Sequence, residues 1–230
     1  MKLSELKEKQ SEFKDVLGFN PMEIQQQSDA WDKMKLGVIS ASKAKELLAK
    51  PTSQTYKTYV ADLVAQVATG MRHSIGANSL MWGNDHEDAA RSAYEFYFKV
   101  KIVELPFIYG DKKMRYGCSP DGLVIEDDNI LKGFEIKSPY NSTNYIKFVC
   151  NGNIKKEHEL QCQFSMFVTG LNIWDYCNYD PRVEKHQLHF YRYERDEKLM
   201  PEIKERIDMA INDIDKMLDI LGMSFGEQWG

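Results

Sequence analysis

No run of apolar residues in this chain approaches the roughly 20 needed to cross a bilayer, so no membrane-spanning helix is expected. The N-terminus, MKLSELKEKQSEFKDVLGF, interleaves charges with Leu and Phe. It lacks the apolar block of a signal peptide, and the expected location is cytoplasmic. Cysteine is sparse: Cys118, Cys150, Cys162 and Cys177, with no C-x-x-C pair. That spacing carries no zinc signal, and cytoplasmic thiols are expected reduced and packed. An iron–sulfur cluster on the four remains the alternative. An excess of positive charge is also missing, since the net charge is −5. Its distribution is uneven. Residues 194–230 hold ten acidic and five basic side chains, which accounts for the whole excess. Residues 31–60 are locally basic, with Lys33, Lys35, Lys43, Lys45, Lys50 and Lys57 against Asp32 and Glu46. A local basic surface suffices for phosphate contact, although a solvated helix face reads the same way. No internal repeat or low-complexity linker stands out.

What is present is 230 residues, 43% of them hydrophobic, enough for one sizeable α/β domain over residues 1–230. The chain is organised around Ser119-Pro120-Asp121-Gly122 and Phe134-Glu135-Ile136-Lys137. Thirteen residues separate Asp121 from Glu135. Gly122 allows a sharp bend, Leu123 to Ile125 read as a strand, and Glu126 to Asn129 read as a turn. Ile130 to Lys137 read as the returning strand of a hairpin. Alternation along it puts Glu135 and Lys137 on one face and Phe134 and Ile136 on the other. The return can bring Glu135 beside Asp121. Two carboxylates held close need a cation between them, and hard oxygen donors suit Mg²⁺. A neighbouring lysine can orient water and offset charge on a phosphate. The pattern fits metal-assisted phosphodiester hydrolysis; a solvated strand edge is the competing reading.

Elsewhere the periodicity predicts helices over 3–17, after Ser42, over 55–69, 78–98, 156–169 and 197–222. Ser40 or Ser42 is the expected N-cap of the second, and its free N–H groups a natural phosphate site, flanked by Lys35. Glu87 falls on the apolar stripe of helix 78–98 and needs a metal, a cation or a core ion pair. His158, Gln161 and Ser165 form a polar row on helix 156–169. Strands are expected over 101–109, 113–118, 174–179 and 187–193.

Taken together, Leu36-Gly37-Val38-Ile39, Cys118-Ser119-Pro120-Asp121-Gly122-Leu123, Gln163-Phe164-Ser165-Met166, Asn178-Tyr179-Asp180-Pro181-Arg182 and Glu194-Arg195-Asp196-Glu197-Lys198 resemble the lambda-exonuclease-like, YqaJ-type viral recombinase nucleases, nearly end to end. The resemblance implies a restriction-endonuclease-like α/β core with a central mixed sheet flanked by helices. It implies a Mg²⁺-dependent exonuclease, with Mn²⁺ as substitute, that degrades the 5′-ended strand of duplex DNA to mononucleotides and leaves a 3′ tail. It also implies a homotrimeric ring around DNA, a single-strand annealing protein as partner, and a phage or prophage origin in a bacterial host. Carried over residue by residue, Asp121, Glu135 and the Ile136 carbonyl would bind metal, Lys137 would position the water, and Glu87 and Gln161 would complete the site. Ser42 and Ser119 match 5′-phosphate positions; Trp31 and Leu80 match residues that split the terminal base pairs. Lys35 and Thr143 stand where the family pocket has arginines, with Lys147 one turn from Thr143 as a substitute. A non-catalytic DNA-end clamp that recruits a recombinase is the rival function.

Overall fold

A computed structural model describes residues 1–72, 78–152 and 154–230, except for the side chains of 78–81 and 84. Two short helices open the chain, α1 (Leu3–Ser11) and α2 (Lys14–Leu17), where one continuous helix was expected. The break falls at Glu12-Phe13, and Phe13 turns its ring onto Tyr109. Next come α3 (Asp29–Lys33), β1 (Ile39–Ser40), a 3-10 turn and the four-residue α4 (Ala44–Leu47). The expected cap at Ser40 makes no side-chain bond to the helix; its hydroxyl lies 3.2 Å from that of Ser42.

The later elements follow the sequence pattern, except that the strand expected over 101–109 divides into two short strands in different sheets and the helix Ser142–Asn151 was not expected. They are α5 (Gln54–Thr69), α6 (Asn78–Phe98), β2 (Lys101–Val103), β3 (Ile108–Tyr109), β4 (Tyr116–Cys118), β5 (Gly122–Glu126), β6 (Asn129–Lys137), α7 (Ser142–Asn151), α8 (Lys156–Thr169), β7 (Ile173–Tyr179), β8 (Leu188–Glu194) and α9 (Leu199–Leu221). Ser53 caps α5 through its hydroxyl, and Gly70 ends it in the left-handed conformation.

Five strands form a mixed sheet in the order β2-β5-β6-β7-β8. Only β6 and β7 run parallel in it, joined by a crossover through α7 and α8, as parallel neighbours require. A smaller sheet, β1-β4-β3, lies apart. Period-two alternation sorts the main sheet into two faces. Val124, Phe134, Ile136, Cys177 and Tyr179 pack against Ala90 and Tyr94 of α6. Leu123, Ile125, Trp174 and Tyr176 face a larger core shared with α5, α8 and α9. The central mixed sheet flanked by helices is the restriction-endonuclease-like core that the resemblance implied.

Gly122 is needed for a reason other than the expected bend. It lies within β5, opposite Phe134, and a Cβ there would overlap the Ile102 side chain. Gly133 is likewise a close-approach position, since a Cβ would enter the Trp174 indole. Among the described residues no helix is long and apolar enough to cross a membrane.

Candidate active site

The hairpin delivers the acidic pair. Gly122 pairs with Phe134 across β5 and β6, so Asp121, one residue earlier, stands next to Glu135. Asp121 Oδ2 accepts the Ile136 N–H at 2.6 Å. Glu135 is 1% exposed. Its Oε1 accepts from Lys137 Nζ at 2.5 Å and from Gln161 Nε2 at 2.6 Å. Its Oε2 is buried with no hydrogen-bond partner among the described residues. Gln161 reaches it from α8, which packs on that face of the sheet.

Glu87 approaches from α6 and lines the cleft beside Ile136 and Lys137. One turn later, Arg91 donates to the Asp121 carbonyl at 3.0 Å and pairs with Glu104 at 3.2 Å. Arg91 was not singled out from sequence, although its spacing of four from Glu87 places both on one helical face.

Negative charge exceeds positive here. Burial, and then the charge of Asp121, push Glu135 up to about 8. The same two causes push Glu87 up to about 7. Burial also raises Asp121, against the opposing pull of Lys137. Burial alone would lower Lys137, but Glu135 and Asp121 outweigh it and hold the ammonium protonated. Three carboxylates thus share one lysine and one arginine, and a proton stays bound near neutral pH unless another cation replaces it.

The donor set suits such a cation. Asp121, Glu135 and the Ile136 carbonyl are hard oxygens, and the unpartnered Glu135 Oε2 is an unused ligand atom. No three His, Cys, Asp or Glu side chains are already arranged as a metal site among the described residues. Glu87 is therefore a neighbour of the pair rather than a preassembled third ligand. The four cysteines are free thiols, three buried and Cys150 exposed.

Two cavities meet at Lys137 and His158. The first, about 460 Å³, is lined by Ser42, Lys43, Lys45, Gln161 and Glu157 besides those two. The second, about 430 Å³, contains Glu87, Ile136 and Lys147. His158 stacks on Tyr176, with the hydroxyl 2.6 Å from Nδ1. Burial and the nearby Lys137 lower it to about 4, so it is neutral at physiological pH.

The remaining sequence candidates divide. Ser42 lies in the first cavity and Lys147 in the second. Lys35 lines neither: it is 7% exposed, beneath the Trp31 ring. Burial and then Arg72 lower it to about 5, so the positive charge expected for phosphate binding is absent at neutral pH. Ser119 donates its hydroxyl to the Pro106 carbonyl at 2.9 Å. Thr143 is exposed on the first turn of α7 and gives its N–H to Asn141. Trp31 is half-buried, with its indole N–H on the Pro106 carbonyl at 2.7 Å. The side chain of Leu80 lies outside the described residues. Ser165, expected in the polar row with His158 and Gln161, is buried instead. The helix expected after Ser42 is the single turn of α4.

Comparison with known proteins finds the same fold. An alkaline exonuclease (LHK-Exo) of Laribacter hongkongensis superposes with a TM-score of 0.76 at 26% identity, covering 85% of this chain and 96% of that one. Its complex with dAMP matches equally well, at 27% identity over 84% and 96% of the two chains. A phage-related exonuclease of Haemophilus somnus 129PT shares the fold, with a TM-score of 0.65 at 14% identity over 80% of this chain and 96% of that one. The ExoD protein of Escherichia coli (strain K12) is 41% identical over 76 residues, 33% of this chain and 87% of its own. Residues 30–172, which carry Asp121, Glu135, Lys137 and Gln161, match the YqaJ-like viral recombinase domain, and the chain belongs to that family.

Proposed function

We infer that the protein is a metal-dependent 5′-to-3′ exonuclease of duplex DNA, acting in phage-type recombination by single-strand annealing. One observation carries this reading: Asp121, Glu135 and Lys137 converge at the end of the hairpin, with a buried carboxylate oxygen left free. A clamp that only binds DNA ends has no use for that arrangement, which is unfavourable without a ligand.

Asp121, Glu135 and the Ile136 carbonyl would hold Mg²⁺, with Glu87 nearby and Mn²⁺ as substitute. When bound, the ion polarises the scissile phosphate and offsets the charge that develops on it. Lys137, kept protonated by its two carboxylate neighbours, hydrogen-bonds the attacking water and the phosphate rather than removing a proton. Gln161 fixes Glu135 so that its other oxygen points to the reaction. Glu87 would take the proton released by the water. Ser42, with Lys43 and Lys45 beside it, would receive the terminal 5′ phosphate in the first cavity. Trp31 and Leu80 would part the end of the duplex. The Laribacter relative was crystallised with dAMP, the class of product this reaction releases.

The test is a linear duplex labelled at one 5′ end or one 3′ end, incubated with Mg²⁺. Early loss of the 5′ label as mononucleotide supports the polarity. Early loss of the 3′ label reverses it, and an intact duplex removes the enzyme reading.

A further inference from the structure

The second cavity opens where β6 and β7 end, and open α/β sheets bind ligands at such strand ends. Two features show that its walls are shaped for an occupant. Ser138 and Asn178 belong to the ends of these parallel strands, Lys137 being paired with Asn178. They are 8% and 5% exposed. Ser138 Oγ has no hydrogen-bond partner among the described residues. Asn178 lies against the Tyr176 hydroxyl, but its Nδ2 makes no hydrogen bond of normal geometry. Buried polar atoms are rarely left unpaired, and both residues line one cavity.

At the rim, Tyr140 is 58% exposed yet held from behind. Arg182 donates to the carbonyls of Pro139 and Tyr140, each at 3.0 Å. The buried Asp180 holds that guanidinium at 2.7 and 2.9 Å. The same guanidinium lies 4.4 Å over the Trp82 ring, which meets Tyr140 edge to face at 6.0 Å. Tyr140 is an exposed ring on a backbone held in this way, with Trp82 at its edge, and such a ring in one cavity with Lys137 is a platform for a nucleobase.

We propose that the second cavity receives the second nucleoside of the strand being cut, with Tyr140 stacking on its base and Ser138 and Asn178 hydrogen-bonding to its polar groups. This rests on the nuclease reading: the cavities meet at Lys137, so a strand with its terminal phosphate beside Ser42 continues into the other. Stacking accepts every base, so the contact fixes position without selecting sequence.

The test uses duplexes with 2-aminopurine as the first or the second nucleotide from the 5′ end, bound in EDTA. Binding is expected to quench the second position. Tyr140→Ala should abolish most of that quenching and weaken binding about five- to tenfold, while Tyr140→Phe keeps both. With Mg²⁺, Tyr140→Ala should raise KM and leave kcat within about twofold. Ser138→Ala removes an unpaired hydroxyl, so thermal stability should not fall although duplex affinity does. Quenching unchanged in Tyr140→Ala, or confined to the first nucleotide, overturns the proposal. Failure of the nuclease reading shows separately, as no digestion by the unaltered protein with Mg²⁺.

Discussion

Glu135 has two oxygens with opposite fates: one accepts from Lys137 and Gln161, and the other is buried without a partner. Such a carboxylate is poorly accommodated in its charged form, and the sign follows. Its pKa is raised to about 8 and that of Glu87 to about 7, so these two carboxyls hold protons that the unfolded chain has released above about pH 4.5. Their contribution to metal-free stability therefore falls as pH rises from about 5 to 8, against the opposite contributions of the lowered Lys35 and His158. Glu135→Gln removes the buried charge; at pH 8 its melting temperature in EDTA should exceed that of the unaltered protein by a few degrees, with digestion lost. An unchanged or lower melting temperature would show that the carboxylate is not a strained group. Protons and metal compete for the same oxygens, so digestion at limiting Mg²⁺ should rise from pH 6 to pH 8.5. Trp31 is anchored to Pro106, so its removal should slow duplex digestion several-fold more than single-strand digestion; equal slowing would remove it as a wedge.

At the scale of elements, the β5–β6 hairpin and its junction with β7 set the site's geometry. Gly133 sits against the Trp174 face, and Gly133→Ala should cost about 1–3 kcal/mol, measured by urea unfolding, because the added carbon must displace a fully buried indole or bend β6. A neutral effect would mean that the strand pair is less constrained than its register indicates. This hairpin is also where the sequence was most informative. A two-residue period and a short turn leave one arrangement for Asp121, Glu135 and Lys137. Helical spacing put Gln161 in a polar row on residues 156–169, and only the family resemblance implied its place beside Glu135. Less could be read where neighbours come from afar. Ser138 and Asn178 meet only because remote strands pair in parallel. Lys35 is pushed toward its neutral form by burial and by Arg72, which is remote in sequence. Arg182 looks like a loop cation until its contacts with Pro139, Tyr140 and Trp82 are seen. The helix expected after Ser42 is one turn, ending at Leu47 short of Pro51.

On the scale of the whole molecule, we propose that residues 1–230 act as one exonuclease domain and assemble as a trimeric ring. The heterologous contact that makes such a ring closes after three copies. Light scattering should give the mass of three chains, and a monomer at working concentration would contradict the ring and the processivity it supports. The acidic residues of 194–230, which account for the chain's net charge, should stay off the DNA path; the basic cavity linings should make binding salt-dependent.

We propose that Asp121, Glu135 and Lys137 form a hydrolytic centre. Its most direct test is digestion of a 5′-labelled linear duplex with Mg²⁺ by the unaltered protein and by Lys137→Ala, with duplex binding measured in parallel. Mononucleotide release is expected from the former, a loss of at least about a hundredfold in the latter, and binding within about threefold in both. Digestion by Lys137→Ala at an undiminished rate would contradict it.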